Sequence, residues 1–336
     1  MTQPSLNTTF DTSLIDLSQR LPQEADPSIL NGSFSTTESA SSENDGAAAA
    51  AATEASSRPS SSATTQIQPP TPPARQTRTA PTNAALYDAW SATYDTDGNI
   101  LQAVDDLELA TLFPTFLSLL PTRPSTTLRL VDLGCGTGRN TQKLMTYPWP
   151  PDTPVRVTGV DASPKMLEIA ERKMRDNAME PQRSAHRRRD VTFRLMAHDF
   201  LASADEGDAG VGEADAVIST LVLEHFPLAT FFRVLRSLLK RGGVALVTNM
   251  HPEMGARSQA GFLGTDGAGQ AVKVRGMSWV HGVLDTTEAA AREGFEIVGE
   301  VRERGVSEEM VGLLGVRARK WVGCLVWYGV VVKRMD

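Results

Sequence analysis

Apolar positions change their spacing several times along the chain. Through residue 82 they are sparse, and Ser, Thr, Ala, Pro and Gln dominate; residues 47–52 are an alanine run and residues 69–75 are proline-rich. So little apolar surface cannot offset chain entropy, so residues 1–82 are expected to be a disordered, low-complexity tail. From Asn83 a packed pattern takes over. Leu101 to Leu120 has helical spacing, with a break expected near Pro114. Leu128–Leu133 reads as a strand running into a glycine-rich turn, and Thr137 to Met145 as the helix after it. Further strands are expected at Val155–Val160, Val191–Ala197, Ala216–Ser219, Val244–Thr248, Phe295–Val301 and Val322–Val332. Helices are expected from Pro164, capped by Ser163, to about Asn177, from Leu228 to Lys240 with Gly242-Gly243 as the stop, and over Thr286–Arg292 and Ser307–Arg319.

Strands alternating with helices predict an α/β fold on a parallel sheet. Right-handed crossovers then align the loops after each strand along one edge, where ligands bind. Three stretches interrupt the alternation. Residues 181–190 carry the basic run His186-Arg187-Arg188-Arg189, and Ala202–Glu213 is acidic and glycine-rich. The third, about residues 251–282, has alternating Val272 and Val274 and reads as a hairpin or lid over the ligand edge. Residues 83–336 are thus expected to form one domain.

Composition narrows the classes. The chain has 336 residues and a net charge of −7, which argues against a general nucleic-acid or membrane-surface binder. Two cysteines exclude a disulfide scaffold and a cysteine-rich zinc site. No apolar run is long enough to span a bilayer. The first residues hold Asp11, Asp16, Glu24 and Asp26 and lack a basic start, so cytosol is the expected compartment, with the nucleus not excluded.

Two motifs carry chemistry. Val131-Asp-Leu-Gly-Cys-Gly-Thr-Gly138 delivers a strand into a Gly-x-Gly-x-Gly turn that opens a helix. Glycine there permits positive φ and lets a ligand touch the backbone. A dinucleotide fingerprint would place its last glycine at position 139, which is Arg. An acidic residue, Asp132, two before the first glycine suits a ligand with a cationic amino group. Gly159-Val-Asp-Ala-Ser163 ends the next strand on Asp161, where a carboxylate accepts from ribose hydroxyls. Together they describe a nucleoside ligand that needs no diphosphate, which disfavours a nicotinamide oxidoreductase.

With these motifs the chain resembles the class I S-adenosylmethionine-dependent methyltransferases over roughly residues 84–335. Met196-Ala-His-Asp-Phe200, Asp215 to Phe226 and Leu238 to Val247 match the family's later motifs in order. The resemblance implies a Rossmann-like, doubly wound, mostly parallel seven-stranded sheet. It implies an antiparallel last strand, an N-terminal helical cap and a lid after the fifth strand. It also implies S-adenosyl-L-methionine as cofactor. Gly134, Gly136 and Gly138 would border its methionine part, and Asp132 would help hold the amino group. Asp161 would hold the ribose, with Ala162 and Met166 against the adenine. Asp199 would reach the adenine amine beside Phe200, and Thr220 and Leu221 would line the floor. Tyr87, Trp90 and Tyr94 share one helical face, and Tyr87 and Tyr94 would lie near the sulfonium.

The reaction expected is in-line methyl transfer to a small organic acceptor, at oxygen. Phe262, Met277 and Trp279 in the lid point to a partly apolar acceptor. If the acceptor carries a proton, a histidine base is suited. Of His225, His251 and His281, the choice falls on His251 and then His281. No metal is expected, since no pair of histidines has ligand spacing. A carrier-bound or protein acceptor steered by residues 186–189, and a non-catalytic cofactor-binding regulator, are the alternatives. The acceptor's identity and the oligomeric state are not set by the sequence.

Overall fold

The computed structural model describes residues 77–122, 125–179, 191–202 and 210–336. Of the tail expected over residues 1–82, residues 1–76 lie outside them, as do the basic run at 186–189 and residues 203–209 of the acidic stretch; residues 77–82 are described and hold a short strand and a helix cap. The described chain opens with β1 (Thr77–Thr79), α1 (Asn83–Trp90) and α2 (Ile100–Leu117). Thr82 caps α1 by accepting the Ala85 N–H at 3.1 Å, and Asn99 caps α2 by accepting the Leu101 N–H at 3.0 Å. The break expected near Pro114 does not occur. Pro114 lacks only the N–H that would reach the Ala110 carbonyl, and both residues lie on the exposed face, so the helix continues past it.

Next come β2 (Leu128–Leu133), α3 (Arg139–Thr146), β3 (Val155–Asp161), α4 (Pro164–Met179), β4 (Val191–Ala197) and β5 (Ala214–Thr220). A 3-10 turn at Leu223–His225 leads to α5 (Leu228–Leu238) and the long β6 (Leu239–Met250). The short α6 (Pro252–Gly255) precedes a hairpin of β7 (Gly261–Thr265) and β8 (Ala271–Arg275). The chain ends with α7 (Val283–Arg292), β9 (Phe295–Ile297), β10 (Arg302–Gly305), α8 (Glu308–Leu314), a 3-10 segment at Val316–Trp321 and β11 (Leu325–Arg334).

The central sheet has the order β10-β11-β6-β5-β2-β3-β4, with β9 also paired to β11. Strands β2 to β6 run parallel, and β11 is antiparallel to β6. Strand order reverses between β2 and β5, which opens a crevice at their carboxyl ends. The sheet has eight strands rather than seven. The expected strand Phe295–Val301 forms only over Phe295–Ile297; Gly299 at φ +75° turns the chain, and β10 begins after the expected range, at Arg302. Two helices also stop early. Leu239 already pairs with Ala214 in β6, and Gly242 at φ +75° sits in the register shift before Val244 meets Ala216. Gly315 at φ +86° ends α8, and the rest of the expected helix is 3-10.

Alternation along the strands builds a core on each face. Leu128 and Leu130 of β2, Val244 and Leu246 of β6 and Trp327 of β11 pack with α2 and with Leu144 of α3. Val131 and Leu133, Ala245 and Val247, and Val330 and Val332 pack with Phe231, Phe232 and Leu235 of α5. Each such fully buried side chain contributes about 1.5 to 3 kcal/mol.

One buried polar network crosses the first core. Asp105 of α2 is fully buried and accepts from Thr248 Oγ1 at 2.6 Å, Trp327 Nε1 at 2.8 Å and Arg139 Nη2 at 2.5 Å. Arg139 also donates to Asp106 at 2.7 Å and to Thr220 Oγ1 at 3.3 Å. Burial works against the guanidinium charge, but Asp105 and Asp106 outweigh it. Replacing one member of such a pair leaves a buried charge uncompensated. Asp105→Ala is therefore expected to lower the unfolding free energy by about 3 to 5 kcal/mol in urea denaturation. A loss under about 1 kcal/mol would show that the pair does not hold α2 to the sheet.

Candidate active site

Three glycines turn the chain at the carboxyl end of β2. Gly134, Gly136 and Gly138 have φ of +70°, +53° and +84°. A Cβ at Gly134 would stand 2.3 Å from Val222 Cγ2, so the loops after β2 and β5 touch there. A Cβ at Gly136 would meet nothing within 4 Å, so that stretch of backbone is open. The turn is bonded to the end of β3: Gly134 N–H and Cys135 N–H donate to the Val160 carbonyl at 2.8 and 3.0 Å. Gly136 N–H donates to Asp161 Oδ2 and Ser163 N–H to Asp161 Oδ1, each at 2.8 Å. Burial pushes the Asp161 pKa up, with those two N–H bonds opposing it. Each carboxylate oxygen keeps acceptor capacity beyond its one bond.

Asp132 sits behind this turn. It is 2% exposed, and its Oδ2 accepts the Thr141 hydroxyl at 2.6 Å. Burial pushes its pKa up to about 6, against the Thr141 bond and the Arg139 charge. Ala162 is half-buried, whereas Met166, in the first turn of α4, is 1% exposed and thus enclosed by the fold. Asp199 closes β4 by accepting the Leu201 N–H at 2.9 Å, and the buried Phe200 packs edge-on against His198. Thr220 Oγ1 accepts from Asn140 Nδ2 at 2.8 Å. Leu221 follows at φ +59°, a strained conformation for a leucine, with its N–H bonded to the Thr248 carbonyl at 2.9 Å.

A cap crosses this edge. Asp88 of α1 accepts from Ser163 Oγ at 2.6 Å and Lys165 N–H at 3.2 Å, which ties α1 to the start of α4. Asp95 accepts from Thr137 Oγ1 and pairs with Lys173, both at 2.7 Å. The Tyr87 ring lies 5.8 Å from both Trp90 and Tyr94, and Trp90 stacks at 5.7 Å on Phe262 of β7. The hairpin is thereby joined to α1, and β1 extends it by pairing with β8.

His225 is the histidine that meets the cap. Its Nε2 is 2.7 Å from the Tyr87 hydroxyl, and its Nδ1 is 3.1 Å from the Met277 carbonyl. Asn83 Nδ2 also lies 3.2 Å from Nδ1, so a carbonyl and an amide donor share that side of the ring. Asn83 grips Met277 from both sides, at 2.9 Å to its N–H and 3.1 Å to its carbonyl. Burial, then Tyr94, Glu224 and Asp161, hold the Tyr87 hydroxyl well above its usual pKa. The hydrogen bonds of His251 and His281 go elsewhere. His251 Nε2 pairs with Glu303 at 2.8 Å, and its Nδ1 accepts the Glu253 N–H at 3.2 Å. His281 Nε2 donates to the Phe226 carbonyl at 2.8 Å, and burial lowers its pKa. Neither shares the contact of His225 with the aromatic cap. Sequence reasoning passed over Asn83, Glu224 and Ser278 at this edge; the one signal for Glu224 was its place beside His225 in the loop after β5. Among the described residues no group of three His, Cys, Asp or Glu could hold a metal ion.

A methyltransferase-domain family model matches residues 131–247, which spans β2 to β6 and every loop of this edge between them. An uncharacterized methyltransferase of Emericella nidulans is 45% identical over 263 residues, covering 73% of this chain and 88% of that protein. The chain belongs to the class I S-adenosylmethionine-dependent methyltransferases. It is an enzyme, and S-adenosylmethionine is its methyl donor. This methyltransferase is also similar to solved structures. An S-adenosylmethionine-dependent methyltransferase from Mesorhizobium loti shows 21% identity and a TM-score of 0.42, covering 66% of this chain and 97% of that one. Magnesium protoporphyrin IX methyltransferase from Synechocystis PCC 6803 shows 17% identity and a TM-score of 0.42, covering 70% and 83%.

Asp132 gives the methyltransferase a pH signature. An acid whose pKa rises on folding costs stability once pH passes its unfolded value, here 3.8, and the whole cost is present above about 6. Asp132→Asn removes that cost. The variant is expected to gain on the wild type by on the order of 3 kcal/mol as pH climbs from about 4 to about 6, with no further change above. Chemical denaturation across that range checks it; a difference independent of pH would give Asp132 an ordinary carboxylate.

Proposed function

We propose that this enzyme methylates a small organic acceptor, at oxygen, in the crevice between the β2 and β5 loops and the α1 cap. Enclosure carries the reading. Helix α1, the β7–β8 hairpin and the turn after β5 are bonded to one another across the carboxyl edge, through Trp90–Phe262, Tyr87–His225 and Asn83–Met277. A folded protein surface could not reach the edge without breaking those contacts, whereas a small molecule could. The hairpin's Phe262 and the Met277 and Trp279 beyond it favour a partly apolar acceptor. Among the described residues no helix is long and apolar enough to cross a membrane.

The residues present fit the donor. The open backbone at Gly136 lies next to a buried carboxylate, Asp161, with acceptor capacity to spare. Once bound, S-adenosylmethionine supplies a methyl group on a cationic sulfur. In this reading Gly134, Gly136 and Gly138 border its methionine part, and Asp161 accepts from the ribose hydroxyls. Ala162 and Met166 flank the adenine, Asp199 accepts from its amine, and Phe200 lies beside it. Thr220 and Leu221 would form the floor, while Tyr87 and Tyr94 would lie near the sulfonium. Asp132 acts through the turn it supports, by holding Thr141. His251 and His281 serve the reaction by fixing the two ends of the segment that contains the hairpin.

Calorimetric titration with S-adenosylhomocysteine tests the cofactor assignment, with NADH as control. Asp161→Ala is expected to weaken binding by about 1 to 3 kcal/mol, because ribose donors are left unpaired. Unchanged affinity would remove Asp161 from the site. Methyl-labelled cofactor offered with phenols, alcohols, amines and thiols tests the acceptor. Label on oxygen is the expected result, and label confined to nitrogen or sulfur would overturn it.

A further inference from the structure

One carboxylate at this edge has no assigned role. Glu224 is 4% exposed, and among the described residues its Oε2 has no hydrogen-bond partner. Its backbone is held firmly: the N–H donates to Asn249 Oδ1 at 3.0 Å, and the carbonyl accepts the Trp279 N–H at 2.7 Å. Its charge opposes ionisation of Tyr87, Tyr94 and Tyr328, so the carboxylate lies within electrostatic reach of all three hydroxyls. Ser278 sits beside it, and the Ser278 hydroxyl is likewise buried without a hydrogen-bond partner. No lysine or arginine pairs with Glu224 among the described residues; His225 and then Ser278 favour its charge, and burial outweighs them. A buried carboxylate in such a place costs stability. Two orphaned polar atoms side by side, under an aromatic cap, are the pattern of a site that a ligand completes.

We propose that Glu224 is the catalytic base of the methyl transfer, its Oε2 taking the proton of an acceptor hydroxyl while Ser278 Oγ makes a second hydrogen bond to the same oxygen. The inference rests on the reading of this edge as the methyl-transfer site and narrows the acceptor to a hydroxyl compound. The acceptor's O–H bond breaks and its proton passes to Glu224. The oxygen's electron pair forms the new bond to the methyl carbon. The carbon–sulfur bond breaks with its pair left on sulfur, giving neutral S-adenosylhomocysteine. Charge balances, since one cation and one carboxylate become a thioether and a carboxylic acid. The other groups at the cap are engaged. His225 Nδ1 lies against the Met277 carbonyl and Asn83 Nδ2, and its Nε2 lies against the Tyr87 hydroxyl, so both ring nitrogens already have partners. Burial also raises the Glu224 pKa, which makes it a stronger base than an exposed glutamate.

The test compares full-length wild type with Glu224→Gln in three measurements. Thermal melting comes first: removing an unpaired buried charge is expected to raise the melting temperature by about 2 °C or more. An unchanged or lower value would mean that Glu224 is a satisfied structural residue, and would overturn the proposal. Titration with S-adenosylhomocysteine comes second, with both proteins expected to bind within about threefold of each other. Failure of the wild type to bind would sink the reading of the site itself rather than the role of Glu224. Transfer of a labelled methyl group to phenol, benzyl alcohol and benzoate comes third. The wild type is expected to label a hydroxyl probe, and Glu224→Gln to do so about 100-fold or more slowly. Equal rates, or label on benzoate alone, which is already ionised and needs no base, would overturn the proposal. If the wild type labels no probe, the melting result decides.

Discussion

A single guanidinium lies where the parts of this molecule meet. Arg139 opens α3 directly after the glycine turn, and it bonds Asp105 and Asp106 of α2 and Thr220 at the end of β5. Asp105 passes the connection on to Thr248 of β6 and Trp327 of β11. Two helices and three strands are thus fixed relative to one another beneath the crevice where strand order reverses. An apolar core can tolerate small slides between layers; a charged fork between buried carboxylates cannot, because each displaced bond leaves a charge unsatisfied.

Above that network the edge is held together by polar contacts of short side chains. Asp161 bonds the backbone of the glycine turn and the backbone that begins α4. Asp88 brings α1 to the same α4 terminus, and Asp95 brings the end of the cap to Thr137 in the glycine turn. The cap is therefore tied to the strand ends that would hold the methyl donor. Helix α1 also reaches the hairpin and His225. A displacement at the cofactor side and one at the acceptor side are felt by the same eight-residue helix.

Burial of acids sets the electrostatics. Asp132, Asp161 and Glu224 all stand in surroundings that push their pKa values up. Asp161 opposes ionisation of Asp132, and three buried carboxylates along one edge favour a cation there, which a sulfonium donor supplies. The stability lost by keeping these groups buried is the usual companion of a site organised for binding rather than for packing.

Local pattern was enough for much of this. The strand Leu128–Leu133, the glycine turn, Asp161 at a strand end and the strand Val191–Ala197 could be read from alternation, glycine spacing and caps, because each follows from chemistry within a few residues. The same local logic erred where environment decides: Pro114 continues a helix because its side faces water, and Gly299 and Gly315 end elements that periodicity alone would extend. Trp327 reaches Asp105 across 222 residues of sequence, and Tyr87 reaches His225 across 138. No periodicity encodes such pairs. Hence the sequence by itself determined the positions of most parallel strands and of the motifs, which rest on short-range spacing, and through those motifs the family resemblance that implies the methyl donor. Only the tertiary structure decided which histidine meets the cap and which carboxylate is left without a partner. Partnership between side chains is a property of packed surfaces, and those exist only once the chain has closed.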